Sequence, residues 1–401
     1  MTGGRSAARL SIAFLSNEYP PVPDGIGSYV ASIAPALAAR GHEVHVISCR
    51  EAQPATDELD RGVHVHRRPL RELPGVVRPW IRGLPRSSGR LRTALTAARE
   101  VRALHVDVAE APDWMAEGLV VPLGRIPLVA HLHTPLALTW EQARLPRDRD
   151  VAIADWFERT AVARADRATS PSGLLVAALT ARGWLRREDV EVIPLPVDVG
   201  RWSNVGPIGS GHPVVLVVGR LERLKAPELA VEACASIPDA EVVVVGRSQE
   251  HRDGMPYDAW LAERATRAGV RLRLAGQVPA RELARFYELA SVLVIPSSFD
   301  NFPVVALEAL AAGRPVVCTN MTGTAELLAG TDAGEVVPAG DSAAMAEALQ
   351  RVLRKAEAAG EAARRLVTDV CSPDAIAARR EAVYAHAVDV HRRRGSRLRR
   401  P

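Results

Sequence analysis

The amino-acid sequence predicts an α/β protein built from two Rossmann-like domains, and three observations carry that expectation. Short apolar, β-branched runs alternate with stretches whose apolar residues recur at helical spacing, the pattern of a parallel sheet covered by helices. The alternation starts twice, near the N-terminus and again at Val214, after a Gly-, Pro- and Ser-containing stretch from Gly200 to Pro213 that reads as a linker. In each half the first strand runs into a glycine-bearing loop that opens a helix, the place where open α/β sheets bind ligands and stabilise anions. A chain of 401 residues is too long for one ordinary core and suits two.

Composition narrows the class. Charged residues make up 24% and apolar ones 47%, the proportions of a globular protein. No apolar run approaches the length that spans a bilayer and no signal peptide precedes the first strand, so the expected setting is cytoplasmic. Cys49, Cys234, Cys318 and Cys371 are scattered, without Cys-x-x-Cys or clustered histidines, so they read as buried thiols rather than a disulfide framework or zinc site. The net charge of +4 is local in origin: Arg67 to Arg102 holds ten arginines against two glutamates, and His391 to Pro401 is arginine-rich. Such a balance is compatible with nucleic acid, anionic lipid or phosphorylated ligands.

Taken in order, Leu10 to Leu15 reads as a strand and Asn17 to Gly27 as the loop after it. Ile26, Val30, Ile33 and Leu37 then share one helical face, Gly41 stops the helix, and Val44 to Ile47 starts the second strand. Pro35 inside that helix predicts a kink. Gly25 and Gly27 let backbone approach a ligand at the helix N-terminus, although a plain tight turn would use them equally. From Val63 to Arg102, Trp80, Ile81, Leu84 and Leu91 lie among arginines, and Pro74, Pro79 and Pro85 argue against one long helix. That stretch fits a solvated Arg-rich loop and helix, or an interfacial segment whose aromatic and aliphatic groups insert while arginines meet lipid phosphates. Val106 to Glu110 and Leu128 to Leu132 are the next strands, the second entering His131-Leu132-His133-Thr134-Pro135. Two histidines without further ligands nearby read as core residues rather than a metal site.

The second half opens with the strand Val214 to Val218 and a loop, Gly219 to Pro227, flanked by Arg220 and Lys225. Ala240 to Val245 leads into Gly246 and Arg247, and Arg271 to Ala275 into Gly276 and Gln277; an amphipathic helix follows from Ala280 to Ala290. The buried strand Val292 to Ile295 then meets a polar elbow, Ser297 to Asn301, and a helix with Pro303 in its first turn and apolar positions at Val304, Leu307 and Ala311, ended by Gly313 before a strand from Pro315 to Thr319. Two carboxylates frame this elbow. Asp300 lies on the loop and Glu308 inside the helix, where a solvated acid would ordinarily sit on the outer face; an acid near the helix start that merely caps it is the competing reading for Asp300.

This stretch resembles the signature of the retaining GT-B glycosyltransferases of family GT4, E-x7-E followed by A-x-A-x-G-x-P-V-V. Here it reads Asp300, seven residues, Glu308, then Ala309-Leu310-Ala311-Ala312-Gly313-Arg314-Pro315-Val316-Val317, with Asp where the family most often has Glu. Val218 to Lys225 is similar to the family's V-G-R-L-x-x-x-K phosphate-binding pair, with Ala226 in place of the usual Gly after the Lys. Thr322 to Glu326 resembles the G-x-x-E turn, and Val190 to Asp198 the I-P-N-G-V-D strand and turn with Leu195 and Pro196 replacing Asn and Gly. The first loop resembles G-G-I-G with Asp24 for its first Gly. Asp148-Arg149-Asp150 mimics the Asp-x-Asp metal motif of the other main glycosyltransferase fold but lacks the hydrophobic strand that motif needs.

The resemblance implies two Rossmann-like domains facing across a cleft, residues 1–203 and 204–372, with 373–401 as a helix crossing back to the first domain and a basic tail. It implies retaining transfer of a hexose from a UDP- or GDP-sugar to a hydroxyl of a lipid-linked, glycan or natural-product acceptor. No metal or other cofactor and no nucleic acid are expected, and peripheral membrane association stays open. In that scheme Arg220 and Lys225 stabilise the departing phosphate, Glu308 accepts the ribose hydroxyls, and Asp300 with the backbone of Asn301, Phe302, Pro303, Val304 and Val305 orients the donor sugar. His133, matching a His-Thr pair, faces that sugar, and Gly25, Gly27, Gly219, Arg247, Gly276 and Gln277 complete the donor-binding set. The alternatives are a hydrolysing nucleotide-sugar epimerase of the same fold, which needs further acid/base carboxylates, and a non-catalytic sugar-nucleotide-binding protein, against which the retained Arg220, Lys225 and Glu308 argue.

Overall fold

The computed structural model describes residues 9–21, 25–209 and 211–397, so Asp24 and the last residues of the tail lie outside the described residues. The chain forms two compact units, Met1–Pro196 with Pro373–Pro401, and Val197–Ser372. The sequence reading placed the first boundary after residue 203. The reason for the difference is tertiary: Val197 N–H donates to the carbonyl of Cys371 at 2.9 Å, and the supposed linker begins as a helical turn whose Trp202 is buried edge-on against Tyr287, ring centroids 5.2 Å apart.

The first unit runs β1 (Ser11–Leu15), α1 (Gly25–Ala39), β2 (Glu43–Arg50), β3 (Thr56–Asp60), β4 (Val63–Pro69), α2 (Pro85–Leu104), β5 (Val108–Pro112) and β6 (Leu128–His131). It continues with α3 (Leu136–Gln142), α4 (Arg149–Arg164), β7 (Arg167–Ser170), α5 (Gly173–Ala181) and β8 (Val190–Val192). Its sheet has the order β3-β4-β2-β1-β5-β6-β7-β8, parallel except for the edge pair β3 and β4. The strand order reverses about β1, so the loop after β1 opens at a switch point. Helix α1 runs through Pro35 as one element. Gly27 is sterically required: a Cβ there would lie 1.9 Å from the carbonyl oxygen of Glu18, whereas one at Gly25 would meet nothing within 4 Å.

The second unit comprises α6 (Val199–Trp202), β9 (Val214–Val218), α7 (Glu228–Cys234), β10 (Glu241–Val245), β11 (His251–Arg252), β12 (Met255–Pro256), α8 (Tyr257–Ala268) and β13 (Arg271–Gly276). There follow α9 (Leu283–Leu289), β14 (Val292–Ile295), α10 (Val304–Ala311), β15 (Val316–Thr319), α11 (Thr324–Leu328), β16 (Gly334–Val337), α12 (Ser342–Arg354) and α13 (Ala356–Cys371). The sheet order is β13-β10-β9-β14-β15-β16, all parallel, with the switch point beside β9. Both faces of its central strands are covered, which is why VVLVV, VLVI and VVCT carry β-branched and apolar residues at nearly every position.

The last helix, α14 (Pro373–Arg397), belongs to the first unit. Arg40, the residue after α1, reaches Asp374 and Glu381 at 2.7 Å each, and the fully buried Arg380 reaches Glu110 of β5 at 3.2 Å and the Thr169 hydroxyl of β7 at 2.7 Å. Breaking a buried pair by removing one partner leaves an uncompensated charge. Arg380→Ala is therefore expected to lower unfolding stability by about 3–5 kcal/mol, and Arg380→Met combined with Glu110→Gln to recover much of that loss. Urea denaturation read by tryptophan fluorescence checks both, and an Arg380→Ala variant as stable as the parent would contradict the assignment.

Candidate active site

The carboxyl ends of β9 and β14 meet at one edge of the second unit. Backbone passes so closely there that a Cβ on Gly246 would lie 1.7 Å from the carbonyl oxygen of Gly219, which is why the residue after β10 is glycine. A cavity of about 260 Å³ opens between these ends, lined by Gly219, Arg220, Lys225, Ser297, Asp300, Pro303, Val304 and Val305 among others. Lys225 Nζ lies 2.5 Å from Asp300 Oδ2, with side chains 24% and 16% exposed. Arg220 is exposed, its Nη2 3.0 Å from Glu222 Oε1. Burial pushes the Glu222 carboxyl above its ordinary range, against the pull of Arg220 and Lys225.

The backbone at Asp300 is clamped: its N–H donates to Met321 at 2.9 Å, and its carbonyl accepts from Gly323 at 3.0 Å. The cap of α10 is Pro303, with no side-chain hydrogen bond, so Asp300 is the partner of Lys225 rather than a helix cap. Glu308, one turn into α10, is not a solvated outer-face acid. The Tyr287 hydroxyl of α9 donates to Glu308 Oε2 at 2.9 Å, and burial raises the Glu308 carboxyl while this bond and the charge of Arg201 pull it down. Asn301 and Phe302 are buried within the loop. Arg247, Gly276 and Gln277 are not among the cavity's lining residues; Arg247 contributes its carbonyl, which accepts from Leu221 N–H at 2.9 Å, and the Gly276 carbonyl accepts from Gly246.

Gly25, Gly27 and His133 belong to the first unit. His133 follows β6, its N–H donating to Asp113 Oδ1 at 2.8 Å and its ring 4.6 Å from that of His131. Burial, then the charge of Arg380, pushes the His133 imidazole down to about 3, so it is neutral at physiological pH. His131 is the core residue expected, hydrogen-bonded to Thr169 and Arg380. Asp148 and Asp150 serve the fold: Asp148 caps α4 through Val151 N–H at 2.7 Å, and Asp150 accepts from the N–H groups of Arg86 and Ser87. All four cysteines are buried thiols. Sequence reasoning missed Tyr287, Glu222 and Asp113; only Tyr287 left a signal, an aromatic on the apolar face of the Ala280–Ala290 pattern.

Residues 198–368 match the family described as Glycosyl transferases group 1, and residues 23–201 the one described as Glycosyltransferase Family 4. The chain is 30% identical over 388 residues to D-inositol 3-phosphate glycosyltransferase of Actinosynnema mirum, covering 87% of this chain and 88% of that one. It is 28% identical over 379 residues to glycogen synthase of Mycobacterium tuberculosis, covering 88% and 89%. Among solved structures, Anabaena Alr3699/HepE in complex with UDP and glucose matches with a TM-score of 0.67 at 18% identity, over 94% of this chain and 100% of that one. Fold and relatives agree on the class, a GT-B hexosyltransferase that draws on a nucleotide-sugar donor. More narrowly, the chain belongs to glycosyltransferase family 4.

Tyr287 orients the Glu308 carboxylate, so Tyr287→Phe removes one hydrogen bond worth about 1 kcal/mol. The expected outcome is a donor KM raised about fivefold with kcat nearly unchanged. Steady-state kinetics decide this, and an unchanged KM would show that the Tyr287–Glu308 bond plays no part in donor binding.

Proposed function

We propose that the chain is a retaining, metal-independent glycosyltransferase whose donor diphosphate lies against Arg220, Lys225 and the start of α10. The observation that carries this is the Lys225–Asp300 pair at 2.5 Å on the wall of the cavity at the strand ends, beside Arg220. Cleaving a sugar from a nucleoside diphosphate builds negative charge on the leaving phosphate. Two cations and the first-turn N–H groups of a helix without a side-chain cap are positioned to meet that charge. A bound diphosphate takes over Lys225, and the Asp300 carboxylate turns to the sugar hydroxyls. Glu308, oriented by Tyr287, accepts the ribose hydroxyls of the nucleoside.

Transfer with retention then runs on one face of the sugar. The bond from C1 to the phosphate oxygen breaks, the bond from C1 to the acceptor oxygen forms on the same side, and the acceptor proton passes to the departing phosphate. His133, in the first unit, is neutral at pH 7 and is therefore suited to hydrogen bonding rather than to acid catalysis. UDP is the first donor nucleotide to try, because Alr3699/HepE was solved with it; the acceptor is a hydroxyl of a lipid-linked, glycan or natural-product molecule.

Arg220→Ala and Lys225→Ala are each expected to lower turnover by about two to three orders of magnitude, the usual effect of losing a preorganised charge partner. EDTA should leave the parent's rate unchanged. Near-normal turnover in either variant, or loss of activity with EDTA, overturns the assignment. Thermal shifts with UDP, GDP, ADP and dTDP identify the base, since a ligand at a hundred times its dissociation constant adds about 2.7 kcal/mol.

Asp300→Asn separates sugar contact from scaffolding. Nucleotide stabilisation should be equal or greater, because Lys225 is released for the phosphate, while turnover drops about a hundredfold. Thermal shift with the nucleotide and single-turnover kinetics measure the two; full turnover in Asp300→Asn sinks the role.

A further inference from the structure

The segment between β4 and α2 leaves the sheet at its carboxyl edge, the edge at which the loop after β1 also opens, because β4, β2 and β1 run parallel. It contains a 3-10 turn, Arg78–Ile81, bracketed by Pro74 and Pro85. Val76 and Trp80 stand on it 79% and 81% exposed, Trp80 being the most exposed large apolar side chain among the described residues. Beside them runs a groove of about 800 Å³ whose apolar wall is Leu73, Ile81 and Leu84.

Among the ten arginines from Arg67 to Arg102, two sets bear on this surface. Arg67, Arg68, Arg90 and Arg92 are held by acids of the protein's own fold, Glu58, Glu100, Glu158 and Glu51. Arg71, Arg78 and Arg82 are exposed around the apolar tip, and Arg78 and Arg82 also line the groove. The acid within this segment is Glu72, 3.3 Å from Arg78 with both side chains largely solvated, a pair too screened to neutralise the face. An exposed tryptophan beside a prolyl-stiffened apolar groove and three outward guanidinium groups matches the boundary between acyl chains and anionic headgroups, where indole rings settle and arginines meet phosphate.

We propose that Leu70 to Pro85 is a docking surface for an anionic lipid bilayer. Trp80 and Val76 insert at the headgroup level, Arg71, Arg78 and Arg82 pair with lipid phosphates, and the groove takes up the apolar part of a lipid. The proposal does not depend on the donor chemistry, because its test reads binding.

Co-sedimentation of the full chain with vesicles of phosphatidylcholine alone, and with phosphatidylglycerol added, provides that test at low salt. Partition is expected on the anionic vesicles only. Arg78→Gln combined with Arg82→Gln should lower it about thirtyfold, each such charge contributing a factor of about five. Trp80→Ser should lower it roughly tenfold through lost apolar insertion. Should either variant melt lower than the parent, Val76→Ser, at an exposed site, must show the same loss. Equal partition of the parent on both vesicles overturns the proposal. So does parent-like binding by the variants, which would move the contact to another basic part of the chain. A change in self-association by Trp80→Ser without a change on vesicles would assign the surface to a second copy instead.

Discussion

The buried guanidinium of Arg380 is the constraint on which the first unit depends. A charge removed from water costs several kcal/mol unless it is paired and hydrogen-bonded, and the surrounding elements supply partners to both terminal nitrogens while its Nε is left without one. Glu110 from β5 and Thr169 from β7 accept from Nη1, and His131 from β6 faces Nη2 at 3.0 Å. Glu110 in turn accepts from Tyr29 of α1 at 2.6 Å and from Tyr384 of α14 at 2.7 Å. Five elements thus converge on one ion pair, and shifting α14 by a residue would strand a charge. The same network fixes the carboxyl end of β6 from which His133 projects and supplies part of the field that keeps that imidazole neutral. The second unit uses a parallel device. Arg314, 1% exposed, donates to the carbonyls of Tyr287 and Gly206 at 2.6 Å each, tying the end of α9 to the end of α10 and so setting Tyr287 behind Glu308.

The charges at the cavity of the second unit are of another kind. Arg380 and Arg314 are sealed, whereas Lys225 and Asp300 retain some exposure and Arg220 is open to solvent. A partly solvated pair contributes little net free energy, so exchanging its partner for a doubly charged diphosphate is not opposed by a deep well. Glu222 lies 3.0 Å from Arg220 and holds it near the cavity, and burial raises that carboxyl while Arg220 and Lys225 pull it down. A site that must bind, turn over and release a nucleotide is better served by such exchangeable pairs than by sealed ones.

Much of this architecture was legible because it is local. Strand periodicity, glycines at strand ends and the spacing between Asp300 and Glu308 are properties of neighbouring residues, and the structure places these elements where they were expected. What escaped is what folding assembles from far apart. Lys225 meets Asp300 across 75 positions and Arg380 meets Glu110 across 270, and no periodicity announces either. Tyr287 is an ordinary core aromatic until α10 brings Glu308 to it. The first domain boundary was misjudged for the same reason: Gly200 to Pro213 has linker composition, yet Trp202 within it finds a buried partner in the second unit. The arginines from Arg67 to Arg102 looked uniform in sequence, and only tertiary contacts separate those that bind the protein's own acids from those left outward.

The departure at Asp300 is where local and tertiary information combine. A carboxylate one methylene shorter than the family's usual glutamate loses reach, and if the loop were free the loss would have to be made up by the chain closing on its ligand. The loop is instead clamped on both sides of the residue, by Met321 and Gly323 through the backbone and by Ser298 N–H to the carbonyl of Leu224 at 2.8 Å. The position of the carboxylate is therefore set by backbone pairing to the segment after β15, and the adaptable partner is Lys225, whose flexible stem carries its ammonium to within 2.5 Å. A shorter acid on a fixed loop, met by a long flexible cation, has fewer rotamers to freeze than a longer acid on the same loop.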